Sequence, residues 1–209
     1  MVGQSVLRAC LHDPGVLRVL AVGRRPTGQR HEKLRDVVVP DLHDLSAVEA
    51  ELPAIDAAFF CVGVSAAGLS EERYTSLTYE LTLAVARTLV RLNPGMTFIY
   101  VSGAGTDSTE HGRAMWARVK GRTENALLGL PFRAAYMFRP GAILPKQGIR
   151  SSTTWYRIFY TLTRPLWPLL EARFPNSVTT TDQLGRAMIA VARHGFRTPV
   201  LETRDINGL

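Results

Sequence analysis

The sequence predicts a doubly wound α/β domain built on a parallel sheet, and three observations carry that reading. Short, nearly continuous apolar runs such as Val16–Val22, Asp56–Val62 (DAAFFCV) and Thr97–Val101 (TFIYV) stop at turns rich in glycine or proline. Strands buried on both faces read this way. Amphipathic helical segments separate the runs, and strands alternating with helices fold as parallel crossover units. The stretch Ser102-Gly103-Ala104-Gly105 lies just past the strand Thr97–Val101, and in open α/β sheets chemistry gathers where strands end.

Taken in order, Val2–His12 reads as a helix with Val2, Val6, Leu7, Cys10 and Leu11 on one face, ended by Asp13-Pro14-Gly15. Val16–Val22 is a strand closed by Gly23-Arg24-Arg25-Pro26, and Asp36–Val39 is a second, halted by Pro40-Asp41. Ser46 is the expected cap of a short helix running to Pro53, and Asp56–Val62 is the next strand, stopped by Gly63. Ser70 is a good N-cap for a long helix to Leu92, with Glu71 and Glu72 placed to complement its dipole. Asn93-Pro94-Gly95 ends it. The central strand Thr97–Val101, a polar loop and a helix carrying Trp116, Val119, Lys120 and Leu127 follow, then a strand over Phe132–Phe138 stopped by Arg139-Pro140-Gly141. Beyond that turn the alternation breaks down. Thr153–Phe174 is aromatic and mixed, Asp182–His194 is an amphipathic helix capped by Thr181 and stopped by Gly195, and Pro199–Thr203 is a final strand.

At 209 residues, with 46% hydrophobic and 21% charged residues, the chain is expected to form one domain over 1–209 with one sizeable core. Cys10 and Cys61 lie in apolar runs without metal-ligand spacing, so they read as free thiols in a reducing, cytoplasmic setting. No metal site is expected. The sequence shows no signal peptide and no apolar run long enough to span a bilayer. The net charge of +7 is nearly all arginine, since Lys33, Lys120 and Lys146 are the lysines. Those arginines are dispersed, with no cluster longer than Arg24-Arg25, whereas a nucleic-acid binder concentrates its charge on one stripe. An anionic small molecule is the better-matched partner. Where arginine is the habitual cation, a retained Lys120 points to a task arginine cannot perform.

A doubly wound sheet begins with a strand, but this sequence begins within a helix. Met1-Val2-Gly3 reads as the end of a Gly-x-x-Gly-x-x-Gly turn, with Gly3 opening the helix as the third glycine of a dinucleotide-binding turn does. The expectation is that the polypeptide continues upstream of Met1 with a strand and the first two glycines. The next strand ends some twenty residues after Gly3, where a ribose-reading residue is expected. Arg24 and Arg25 stand there instead of an acid. An acid would bond the ribose 2′-hydroxyl and arginine accommodates a 2′-phosphate, so NADP is favoured, with NAD as the alternative. Asp41 and Leu42 after the following strand, and Cys61, Val62 and Gly63 after the next, are candidates to border the adenine half of the cleft. Each has a plainer reading as strand-end punctuation.

The run GRRPTG, PDL, FFCVGVS, FIYVSGAGTDS, a helix with x-x-x-Lys, then FRPGAILP resembles the atypical short-chain dehydrogenase/reductases of the NAD-dependent epimerase/dehydratase superfamily. It is similar in particular to a bacterial branch related to the Tat-interacting oxidoreductase-like proteins. The resemblance implies a Rossmann-like sheet and a nicotinamide cofactor. It further implies a hydroxyl at the tip of the central strand that holds the substrate oxygen, a tyrosine acid/base, and a lysine four residues later that binds the nicotinamide ribose. Carried over, Lys120 matches the lysine and Ser102 the hydroxyl, with Thr106 as a substitute. Pro140 and Gly141 match the turn bordering the nicotinamide, packed by Ala142 and Ile143. The tyrosine position holds Trp116, whose indole N–H donates but does not exchange a proton near neutral pH. Tyr74, Tyr79, Tyr100 and Tyr136 are alternatives without the required spacing.

The resemblance also marks 144–181 as the substrate-side lid. Within it, Trp155, Tyr156, Arg157, Phe159, Tyr160, Arg164 and Trp167 suit core packing, an apolar or acidic substrate, or a membrane or protein contact through 155–170. Two functions follow. One is an NADP-dependent oxidoreductase or epimerase-like enzyme on a small carbonyl or hydroxyl substrate. The other is a non-catalytic NADP(H)-binding protein that contacts a partner. The helix from Ser70 to Leu92 fits both core packing and subunit pairing.

Overall fold

The computed structural model describes residues 2–52, 54–145 and 176–209. Its order is α1 (Val2–His12), β1 (Val19–Gly23), β2 (Leu34–Val38), a 3-10 turn (Ser46–Glu51) and β3 (Ala57–Phe60). Next come α2 (Glu71–Thr75), a π-turn (Ser76–Glu80), α3 (Leu81–Leu92), β4 (Thr97–Val101), α4 (Met115–Leu128), β5 (Ala134–Arg139) and β6 (Ala142–Leu144). β7 (Val178–Thr180), α5 (Thr181–His194), β8 (Val200–Glu202) and α6 (Thr203–Asn207) close the chain. All described strand pairs are parallel: β1 with β2, then β3-β4-β5-β8, then β6 with β7. This is the predicted α/β architecture.

Alternating side chains of the central strands feed two separate cores, one on each face of the sheet, as a period of two requires. Phe98 and Tyr100 of β4 and Met137 of β5 pack with Leu83, Leu89 and Leu127 of α3 and α4. Ile99 of β4 and Phe138 of β5 turn the other way, onto Val6 of α1 and Leu184 and Met188 of α5. β4 is therefore buried along both faces. Two helical glycines are fixed by close approach. A Cβ at Gly185 would stand 2.9 Å from Ala9 where α5 crosses α1. A Cβ at Gly121, in the middle of α4, would stand 1.8 Å from the Asp107 carbonyl oxygen, so glycine there lets the post-β4 loop lie on the helix beside Lys120.

Several expectations need correction. The Ser46 helix is a 3-10 turn whose N-cap is Leu45, with no side-chain cap bond. Ser70 caps as predicted, its hydroxyl accepting from the Arg73 amide. The helix it opens reaches Leu92 through a π-turn, and within that turn the Thr78 carbonyl accepts from the Thr82 hydroxyl. The cap of α5 is Thr180, accepting from the Gln183 amide, and not Thr181. β5 starts at Ala134 because Phe132 is held in a turn, its amide donating to the Leu130 carbonyl. The final strand is shorter than Pro199–Thr203, since Thr203 opens α6 behind a Glu202/Asp205 capping box. β6 and β7 were not expected; each has three residues, and they pair across the chain. Of the lid span 144–181, residues 146–175 lie outside the described residues, and with them Lys146 and the Trp155–Trp167 aromatic and arginine set. Among the described residues no helix is long and apolar enough to cross a membrane.

Candidate functional site

The site loop continues the edge-to-edge pairing of β4 with β5. Past the end of β4, the Ser102 amide donates to the Phe138 carbonyl at 2.8 Å and the Ala104 amide to the Pro140 carbonyl at 3.0 Å. Ser102 and the Pro140-Gly141 turn are thus brought together. Gly141 is itself clamped. Its amide donates to the Thr203 hydroxyl at 2.8 Å, and a Cβ there would meet the Ser177 carbonyl oxygen at 2.3 Å. Within the loop the Thr106 amide donates back to the Gly103 carbonyl, a tight turn that needs Gly105 at φ +84°.

The two candidate hydroxyls form one relay. Thr106 Oγ1 donates to the Gly103 carbonyl at 2.8 Å, which commits its hydrogen. At the 3.0 Å contact between Ser102 Oγ and Thr106 Oγ1, Ser102 must therefore be the donor. Thr106 is buried and anchored, while Ser102 is half-buried at the mouth with lone pairs to spare. Sequence reasoning had Thr106 as a substitute for Ser102; the geometry makes it the partner.

Lys120 comes from the second turn of α4. Its Nζ donates to the Tyr100 hydroxyl at 3.5 Å and lies 5.3 Å from the centroid of that ring. Tyr100 and Ser102 are two residues apart on one strand and its extension, so they share a face. The relay and the lysine accordingly address the same side of β4, though the lysine's direct contact is Tyr100 and not Ser102. Burial pushes the Lys120 ammonium down to about 8, against the pull of the nearby Glu124 carboxylate. Burial, with Tyr74 and Glu124 adding to it, pushes the Tyr100 phenol far up, so this tyrosine stays protonated. Sequence analysis has it as one of four alternative tyrosines without the required spacing; strand register is what sets it beside Lys120.

Trp116, at the tyrosine position, packs on the loop: a Cβ at Gly105 would lie 3.3 Å from its ring. The other expected tyrosines are elsewhere. Tyr74 is buried in the helix α2, Tyr79 stacks under Arg122, and Tyr136 accepts from the Phe196 amide.

One part of the site had no sequence signal. Glu124, 1% exposed on α4, takes a bidentate bond from Arg139 Nε of β5 at 3.1 Å to each oxygen. Arg139 also bonds the Ser108 hydroxyl and lies 3.4 Å from Glu202. This buried pair ties the Lys120 helix to the strand that ends at Pro140-Gly141. Asp107 shapes the same loop, its carboxylate accepting from the Thr109 and Gly112 amides and the Thr109 hydroxyl, bonds that hold its pKa below the usual carboxylate range.

The cofactor-side candidates cluster less tightly. Arg24 and Arg25 are both exposed just past β1, where Thr27 is pinned to Asp36 of β2. Asp41 is exposed and its carboxylate is engaged by the His43 amide and ring at 2.9 Å, while Leu42 is buried in the core. Cys61, Val62 and Gly63 follow β3, and Gly3 at the start of α1 faces Cys61, with a Cβ there 3.5 Å from the Cys61 Cβ. An exposed helix start with a glycine beside a strand end suits a phosphate, and exposed arginines suit a second one. The donor set therefore fits a phosphorylated dinucleotide. No group of three or more metal-ligating side chains occurs among the described residues.

No protein-family model matches the chain. Protein fmp52, mitochondrial, of Emericella nidulans is 27% identical over 150 residues, 68% of this chain and 63% of that protein, so the match spans under two thirds of the curated relative. Among solved structures, glucuronic acid dehydrogenase from Chromohalobacter salexigens superposes with a TM-score of 0.64 at 13% identity, covering 96% of this chain and 71% of its own. The Bordetella bronchiseptica enzyme WbmF, solved in complex with NAD+, gives 0.63 at 13% identity, covering 99% and 73%. Identity at this level shows the fold alone: the chain shares the Rossmann-like α/β architecture of these dehydrogenase structures.

Proposed function

We propose that the chain binds NADP(H) and acts as an oxidoreductase or epimerase-like enzyme on a small carbonyl or hydroxyl compound. The observation that carries this reading is the Ser102–Thr106 hydroxyl relay at the mouth of β4, on the same face as the Lys120–Tyr100 pair. The bound nicotinamide supplies or accepts hydride. Arg24 and Arg25 bind the 2′-phosphate, which favours NADP over NAD, and the start of α1 at Gly3 receives the pyrophosphate. Ser102 swings its hydrogen from Thr106 to the substrate oxygen, while Thr106 stays fixed to the Gly103 carbonyl. Lys120 holds the nicotinamide ribose, and with a pKa of about 8 it also holds a proton it can release near neutral pH. Trp116 cannot. A reducing compartment, the cytosol, suits the two free thiols.

Trp116 lying on Gly105 favours a second reading, a non-catalytic NADP(H)-binding protein. Consumption of NADPH across a carbonyl panel separates the two. The enzyme reading expects turnover that Lys120→Ala abolishes and Trp116→Tyr raises by about 10²–10⁴-fold, the usual worth of a positioned acid. Bound NADPH with no turnover in either the native chain or Trp116→Tyr would establish the second reading.

A further inference from the structure

Lys120 is a cation without a counter-ion of its own. Its Nζ meets the Tyr100 hydroxyl at 3.5 Å and lies 5.3 Å from the centroid of that ring. Tyr100 is buried and stays protonated, so it orients the nitrogen without supplying charge. Glu124 lies one helical turn further along α4, but both of its oxygens already take Arg139 Nε, at 3.1 Å each. Among the described residues no ion pair joins Lys120 to a carboxylate; the nearby Glu124 charge only opposes its burial. A half-buried lysine held against a ring and a neutral phenol gives up its proton readily, in line with the fall to about 8. Unlike arginine, it then becomes a nucleophile. Ser102 shares its face. Tyr100 and Ser102 are two residues apart on β4 and its extension, about 6.6 Å by strand rise, with side chains to one side. The Ser102 hydrogen rests on Thr106 Oγ1 at 3.0 Å, and Thr106 is anchored separately to the Gly103 carbonyl, so Ser102 can exchange that contact for another oxygen. An amine nucleophile and a donor to oxygen are the two groups that addition to a carbonyl requires.

We propose that Lys120 captures small aldehydes and ketones as an imine, with Ser102 donating to the carbonyl oxygen, in a step that needs no nucleotide. The Nζ lone pair forms a C–N bond while the carbonyl π pair moves onto oxygen, where the Ser102 hydroxyl stabilises it. One amine hydrogen passes to that oxygen and gives a carbinolamine. The C–O bond then breaks, the second amine hydrogen leaves with the oxygen as water, and a C=N bond remains between Lys120 and the captured molecule. Nothing is oxidised or reduced. This activity goes beyond the hydride transfer proposed above: it uses the same face of β4 but bonds the lysine to the carbonyl compound itself.

Reductive trapping reads the step directly. The protein is treated at pH 7 with propanal and cyanoborohydride, without nucleotide, and alkylation of each lysine is followed by peptide mass spectrometry. Lys33, whose Nζ donates to the Asp13 carbonyl, is the internal standard. Lys120 is expected to be alkylated roughly tenfold or more faster than Lys33, because more of it is free amine at this pH. Ser102→Ala is expected to slow alkylation of Lys120 about tenfold, the worth of one hydrogen bond to a developing charge. The titration of Lys120, followed by NMR with carbon-13 at the lysine ε-carbons, is expected to stay where it is in that variant. Alkylation of Lys120 no faster than that of Lys33 would overturn the proposal, and so would equal rates in the native protein and Ser102→Ala. A slower Ser102→Ala in which the Lys120 titration has also moved would overturn the assigned step, because the serine would then act on the amine and not on the carbonyl. Because no nucleotide is present, each outcome is independent of NADP(H) binding.

Discussion

Glu124→Leu is expected to lower the melting temperature by roughly 6–20 °C. Arg139 is 11% exposed in its side chain and Glu124 1%, so removing the carboxylate strands a buried guanidinium with Ser108 and the 3.4 Å contact to Glu202 as its remaining side-chain partners. Breaking a buried pair in this way costs about 3–5 kcal/mol, and each kcal/mol moves the midpoint of a domain this size by about 2–4 °C. The double variant Glu124→Leu with Arg139→Met replaces both charges with apolar groups and is expected to recover most of the loss. Thermal unfolding of the single and double variants checks both statements. A single-variant shift below about 2 °C would mean that the pair does not hold α4 to β5.

Lys120→Met is expected to weaken NADPH binding by about tenfold to a hundredfold, since a hydrogen bond from a charged group is worth about 1.5–3 kcal/mol. The same change is expected to stabilise the protein at pH 7. The sign follows from the depressed pKa. The unfolded lysine keeps its proton up to about 10.5 and the folded one loses it above about 8. Below pH 8 the fold therefore carries the full cost of a buried charge, and stability rises as pH climbs from 8 toward 10.5. Methionine removes the cost and the slope together. Denaturant unfolding at pH 7 and pH 10 reads this directly: the native chain gains stability across the interval relative to Lys120→Met. A parallel pH response in the two proteins would show that Lys120 ionises as an exposed amine. Loss of binding joined to gain of stability is the signature of a residue retained for function.

The architecture was legible because apolar runs stopped by Gly or Pro mark buried parallel strands, and β3, β4 and α4 appear where DAAFFCV, TFIYV and the Lys120 helix place them. Boundaries shifted by one to three residues, from Val19 against Val16 in β1 to Thr180 against Thr181, where neighbouring hydroxyls compete for one cap and the sequence does not say which wins. The three-residue strands β6 and β7 carry too little pattern to register. Ser102, Thr106, Pro140 and Gly141 stood out as candidates because they follow strand ends. The Glu124–Arg139 pair did not, since two charged residues fifteen positions apart give no local sign that a helix and a strand will bury them together. Tyr100 was named only as one of four tyrosines lacking the expected spacing, because it meets Lys120 through strand register and not through helical spacing.

In the proposed function, a cleft between Arg24-Arg25 and Lys120 takes a 2′-phosphorylated nicotinamide dinucleotide. Calorimetric titration of the protein with NADPH and NADH, repeated on the Arg24→Ala, Arg25→Ala double variant, tests it most directly. NADPH should bind more tightly than NADH in the native protein, and the two should become equal when the arginines are gone. Absence of heat from either nucleotide, or a preference for NADPH that survives loss of both arginines, would contradict it.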